Sequence, residues 1–310
     1  MTHSFLRESK LYIEYGGNKY RIYTAPAITF NQTFAEDSYS VKTLHDQSKM
    51  FEGSSVTTAN PANFSFDVPL TVEKDESIVM DLLNDVVETT VAGVKTQQLK
   101  TFNMYIQTGS STFKLETCAI TAGDFSFNPR EQSMVKIQGE AAKLSRVGDE
   151  SYNLGTIQSE SSTRTPLLVY PVATIDSLSL NSLLSATVQF QNDITWNPYK
   201  NVHSSLSVTN SSNAMFPSAY TLGKRIVSGA IEQYQTDSNI TQFDDFSTGS
   251  NITVKAVKIG NASNHAGFWK ININPAMYTA RMEVQELYKN SYDFRSTDNT
   301  TTHANRITQY

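Results

Sequence analysis

FSFNP, residues 125–129, and ININP, residues 271–275, share one pattern. Each sets an apolar, a polar and an apolar residue ahead of Asn-Pro, so that Phe125, Phe127 and Pro129 align with Ile271, Ile273 and Pro275. Alternation with period two marks a strand with one buried face. Asn-Pro then breaks or turns it. One short match of this kind recurs by chance, so its neighbours decide whether the chain is doubled.

The neighbours repeat in the same order. KLYIEY (10–15), a Gly-Gly-Asn turn and KYRIYT (19–24) read as a hairpin. AITFNQTF (27–34) follows as a strand, then a polar stretch, 35–60, holding the apolar island Met50-Phe51. ANFSFDVPLTV (62–72) places Phe64, Phe66 and Val68 on one face. The segment 75–88 is patterned as a helix, with Asp75 as N-cap and Ile78, Val79, Leu82, Leu83, Val86 and Val87 in one stripe. Strands resume at 100–107, 112–127 and 133–144. After a Ser/Gly-rich stretch the series restarts. Residues 166–175 and 183–191 form a strand pair, and TVQF (187–190) answers AITF (27–30). Met215-Phe216 answers Met50-Phe51, and 226–235 answers 62–72. A short helical piece starts at Asp237, 251–259 answers 100–107, and 278–289 answers 133–144.

This order predicts a mainly β chain of two tandem β-sandwich or barrel domains, each with a flanking helix. The expected boundaries are 1–147 and 166–291, with 148–165 as linker and 292–310 as a polar C-terminal arm. A length of 310 residues suits two such units.

Charge and cysteine content exclude several classes. The net charge is −5 with no Lys/Arg cluster, which speaks against a surface that grips nucleic acid. The single Cys118 rules out an intrachain disulfide framework and fits a reducing compartment. The N-terminus lacks the apolar core of a secretory signal, and no run approaches the length of a membrane span. The Asn-x-Ser/Thr sequons, at Asn31, Asn210 and Asn251 among others, are what a Ser/Thr/Asn-rich chain produces by composition.

No catalytic constellation emerges. His3, His45, His203, His265 and His303 fall in termini and loops without metal-ligand spacing. Cys118 sits in a strand pattern beside Ala119 and Ile120, as a small core residue would. Glu36-Asp37 and Asp244-Asp245 are paired acids that read as solvated loop charge; a glycosidase would need two carboxylates across a cleft. Neither a Gly-x-Ser-x-Gly elbow nor a phosphate-cradling Gly-rich loop is present. No cofactor and no metal are expected. Trp196, Tyr199 and Tyr220 fall in the long stretch of the second half, where aromatics pack a core, meet a partner or stack on a sugar.

The doubled element order, with its Met-Phe islands and the FSFNP and ININP strands, resembles the tail tube proteins of long-tailed bacteriophages, in the form with two tube domains fused in one chain. The resemblance spans roughly residues 5–290. It implies β-sandwich domains whose strands build a continuous inner barrel, a helix at 75–88, and long loops at 35–60 and 192–222 that reach a neighbour. It implies a virion tail protein, made in the host bacterial cytoplasm, that assembles with itself. Three chains would close a pseudo-hexameric ring, rings would stack into the tube of the major tail protein, and DNA would pass through the lumen without specific binding. Other tail proteins, namely the tape measure, the tail terminator and the distal tail protein, would be its partners, with no membrane involved. Met50, Phe51, Trp196, Tyr199, Met215 and Phe216 are then the candidates for contacts between subunits. Two other readings stay open: a tube-initiating ring protein at the baseplate end, with the same fold, and a carbohydrate-binding tail adhesin.

Overall fold

The computed structural model describes residues 9–25, 28–41, 51–91, 94–158, 160–161, 163–176, 178–180, 183–197, 215–236, 246–258, 267–284, 286–297 and 307–309. The first half holds β1 (Lys10–Tyr15), β2 (Asn18–Ile22), β3 (Thr29–Asn31), β4 (Phe34–Val41), β5 (Phe51–Ala59) and β6 (Ala62–Pro69). The helix α1 (Ser77–Asn84) follows, then β7 (Val86–Val91), β8 (Val94–Leu99), β9 (Phe102–Gln107), β10 (Thr112–Phe127) and β11 (Met134–Gly148). The second half holds β12 (Val169–Ile175), β13 (Leu178–Leu180), β14 (Leu183–Asn197), β15 (Ala219–Tyr234), β16 (Phe246–Lys258), β17 (Gly267–Val284), β18 (Tyr288–Ser296) and β19 (Ile307–Gln309). The protein is mainly β, with one large antiparallel sheet, and is consistent with a β-sandwich.

The strands pair in the same order in both halves. The first runs β3-β6-β11-β10-β9-β1-β2, and the second runs β14-β15-β18-β17-β16-β12-β13. Each strand in these two runs thus has one counterpart: β3 and β14, β6 and β15, β11 and β18, β10 and β17, β9 and β16, β1 and β12, β2 and β13. β19 is an addition that pairs with residues 269–271 of β17.

The motif that suggested the doubling does not occupy counterpart positions. FSFNP closes β10 just before its turn into β11. ININP lies in the middle of β17, which runs on through Pro275 to Val284. So 278–284 finishes β17, and the counterpart of β11 is β18. The boundary expected at 292 falls inside β18, where Tyr292 and Phe294 are buried.

The core follows the period-two pattern. Ala62, Phe64, Phe66 and Val68 face inward on β6, as do Ala186, Val188 and Phe190 on β14. One contiguous cluster runs through both halves, from Leu11 and Ile13 to Trp269, Ile271 and Ile273.

The helix is shorter than its apolar stripe. Ile78, Val79, Leu82 and Leu83 are buried as expected, and Gly123 on β10 leaves room for Leu83, whose Cδ2 would lie 2.4 Å from any Cβ there. From Val86 the β-branched run Val-Val-Glu-Thr-Thr-Val turns to strand and pairs with β8. The N-cap is Glu76 instead of Asp75, and its side chain makes no cap bond. Its carboxylate accepts from Thr71 N–H and Thr71 Oγ1, each at 2.8 Å. The second helical segment, 237–246, lies outside the described residues up to 245, and Phe246 already belongs to β16.

Glu76 is buried, and burial raises its pKa above the usual 4.5 despite the Thr71 bonds, which lower it. A raised carboxyl pKa contributes stability that is complete below the unfolded value and is lost as pH rises through the folded one. Glu76→Gln removes that loss. Its stability relative to the parent should rise as pH goes from about 4.5 toward neutral, measured by urea denaturation at acid and neutral pH. A difference that does not change with pH would show that Glu76 does not titrate in this way.

The segment expected as the linker is bonded to the first half along its length. Gln158 N–H donates to Lys19 O at 2.8 Å, and Tyr23 Oη donates to Glu160. Arg164 lies over the Tyr23 ring at 3.3 Å and pairs with Glu160 at 2.7 Å. Glu73 accepts from Thr165 N–H and Oγ1, both at 2.8 Å. Leu167 N–H then donates to Leu70 O at 3.0 Å, and Arg130 N–H donates to Val169 O at 2.9 Å.

Candidate assembly borders

The sheets of the two halves join along one seam. β14 pairs with β15 on one border and with β10 on the other, from Ala122↔Gln191 to Phe127↔Ala186. β10 is free to accept it because β9 covers only residues 112–118 of that border, while β11 takes the opposite one. Inside the seam the Phe190 and Phe125 ring centroids are 5.7 Å apart.

Beyond the core, the far ends of β14 and β15 lie over the first half. Trp196 Nε1–H donates to Glu140 Oε2 at 2.7 Å, and its ring meets Tyr220 edge-on at 5.2 Å. Tyr220 Oη donates to Leu99 O at 2.9 Å. Burial raises the pKa of Glu140, and the Trp196 bond lowers it. Arg225 links three elements. Its Nε–H donates to Asn192 Oδ1 at 2.8 Å, and Nη2 donates to Leu83 O and Asn84 O at 3.2 and 3.1 Å, at the C-terminus of α1. Asn192 Nδ2 in turn donates to Ile120 O of β10 at 2.9 Å.

The candidate contact residues separate clearly. Met215 and Phe216 are buried against Ala59 of the same chain, with Lys143 Nζ 5.0 Å above the Phe216 ring. Trp196 is half-buried in the seam, and it stands on β14 where the sequence suggested a loop. Phe51 opens β5, and its side chain is outside the described residues, as are Met50 and Tyr199. Sequence reasoning missed Arg225, Asn192 and Glu140; nothing in a strand pattern marks which outward polar residues will face another unit.

The counterparts of the seam strands lie open. β3 pairs with β6 on one border and, among the described residues, with no strand on the other. β17 carries β18 along 276–284 on one border, while β16 reaches only to Thr279 on the other. Residues 280–284 have no partner on that side among the described residues. A cleft of about 460 Å³ lies beside β3, lined by Thr29, Asn31, Lys136, Gln138 and Glu140 among others. Among the described residues no three His, Cys, Asp or Glu side chains gather as metal ligands would, and no helix is long and apolar enough to cross a membrane.

A model of the bacteriophage baseplate tube protein family matches residues 1–306. The chain belongs to that family. It is also similar to the baseplate tube protein p140 of Escherichia phage T5, with 25% identity over 211 residues, covering 65% of this chain and 67% of that protein. Membership in the baseplate tube family makes the protein a structural component of a phage tail. It corrects the expectation of a major tail protein: the family belongs to the baseplate, the end named in the second of the sequence-based readings.

Proposed function

We propose that this chain forms a ring in the tube wall at the baseplate end of a phage tail. Three copies would present six half-chains around a central hole, with each half-chain a tube domain. The carrying observation is that both halves share one strand order and are joined through unlike borders, β14 of one on β10 of the other. A contact between unlike borders closes into a ring when each step turns by about 60°, one sixth of a circle. Membership in the baseplate tube family supports the same reading.

The ring is a passage for DNA. With a net charge of −5 per chain, acids facing the hole repel phosphates within a Debye length of about 8 Å at physiological salt. A basic wall would hold the genome instead. Neighbouring tail proteins stack above and below.

Native mass measurement and negative-stain electron microscopy of the purified protein test this. Three-copy rings with a central hole are expected. A compact monomer at every concentration, or a two-fold dimer with no hole, overturns it. Long hollow tubes of this chain alone would overturn the reading of a single ring.

A further inference from the structure

We propose that residues 280–284 of β17 seat β3 of a second copy of this chain, antiparallel, as β10 seats β14 within one copy. The inference rests on the ring reading and names its seam.

The internal seam supplies the pattern. β14 lies on the C-terminal third of β10, on the border that β9 leaves free. The counterpart of that place is the C-terminal end of β17, on the border where β16, among the described residues, reaches no further than Thr279. The counterpart of β14 is β3, whose outer border has no strand on it among the described residues. One copy therefore offers an acceptor in its second half and a donor in its first. The two are unlike, so their pairing runs head to tail instead of forming a two-fold dimer. Strand addition at a bare border satisfies its N–H and C=O groups and leaves specificity to the side chains.

The side chains around the acceptor fit an occupant of this kind. Phe246 is 72% exposed, Val284 69%, Leu287 59% and Tyr288 53%, and Met282 is also exposed. All five lie on β17, at the adjacent ends of β16 and β18, or in the turn between β17 and β18. A cluster of exposed apolar side chains at one sheet border marks an interaction surface. In the first half the corresponding turn after β10 is covered: Gln132 bridges Leu168, and Ser133 N–H donates to Leu167 O at 3.2 Å. The donor has apolar surface to match. Phe34, three residues after β3, is 51% exposed at the start of β4.

Cysteine cross-linking tests the seam, on a background where the one native cysteine, Cys118, is fully buried. Thr29→Cys is combined in turn with Arg281→Cys, Met282→Cys and Glu283→Cys, to scan the register. Oxidation of at least one pair should give a covalent ladder ending at the trimer, while Thr29→Cys with Leu178→Cys, on the remote β13, should give none. Separately, Val284→Glu should weaken association about tenfold or more while its thermal melt as a monomer is unchanged, since Val284 is exposed. Rings that form with no ladder from any of the three pairs overturn the seam and leave the ring reading standing. A ladder from the β13 control equal to the others also overturns the seam. A chain that stays monomeric at every concentration overturns both.

Discussion

Phe190→Ala should cost about 3–5 kcal/mol of unfolding free energy, the usual cost of emptying a fully packed phenylalanine site. Phe190 is 2% exposed on β14, and its ring touches Phe125 on β10 across the seam between halves. A cavity there has backbone strands on both sides, so neighbours cannot collapse into it cheaply. Urea denaturation followed by far-UV circular dichroism gives the number. Because one core runs through both halves, the variant should lose both together in one transition. Two separated transitions would mean that the halves unfold independently. A loss near 1 kcal/mol, typical of an ordinary substitution, would mean that Phe190 is less confined than its burial indicates.

Arg225→Ala should cost about 2–3 kcal/mol, in the range of a charged donor removed from partners that stay partly buried. The guanidinium joins the end of α1 to Asn192, and Asn192 to β10. Truncation strips Leu83 O and Asn84 O of that donor at the helix end, where carbonyls lack intrahelical partners. Arg225→Lys should recover less than half of the loss, because an ammonium cannot reach the helix carbonyls and Asn192 with a planar fork. Hydrogen exchange of the α1 amides separates this from a general destabilisation. Protection should fall first in α1 in both variants; a uniform fall across β10 and β17 would count against a local role.

The fold class was legible because strand alternation and turn residues are written locally. Register was not. FSFNP and ININP look alike since any half-buried strand repeats with period two, and such a pattern slides along a strand without changing. β18 was hidden for a related reason. Its YDFRS end alternates Tyr292 and Phe294 with Asp293 and Arg295, but a polar sequence on both flanks makes it read as an arm. Asn290, fully buried on the same strand, adds to the polar look. The end of α1 was overrun because Val86 and Val87 fit the apolar stripe, although their branching favours a strand. The internal seam was the least legible feature of all. Glu140 on β11, Asn192 and Trp196 on β14 and Arg225 on β15 come from three separate stretches of sequence, and the pairing of β14 with both β15 and β10 brings them together.

The segment after β11 does more than join two units. Because Glu160, Thr165 and Leu167 are each hydrogen-bonded to the first half and Arg164 lies over the Tyr23 ring, a protease cut within it would not set the halves adrift. The nicked molecule should behave as one particle of unchanged size. Two genes encoding the pieces separately could then rebuild it, which makes the covalent join a matter of stoichiometry more than of cohesion.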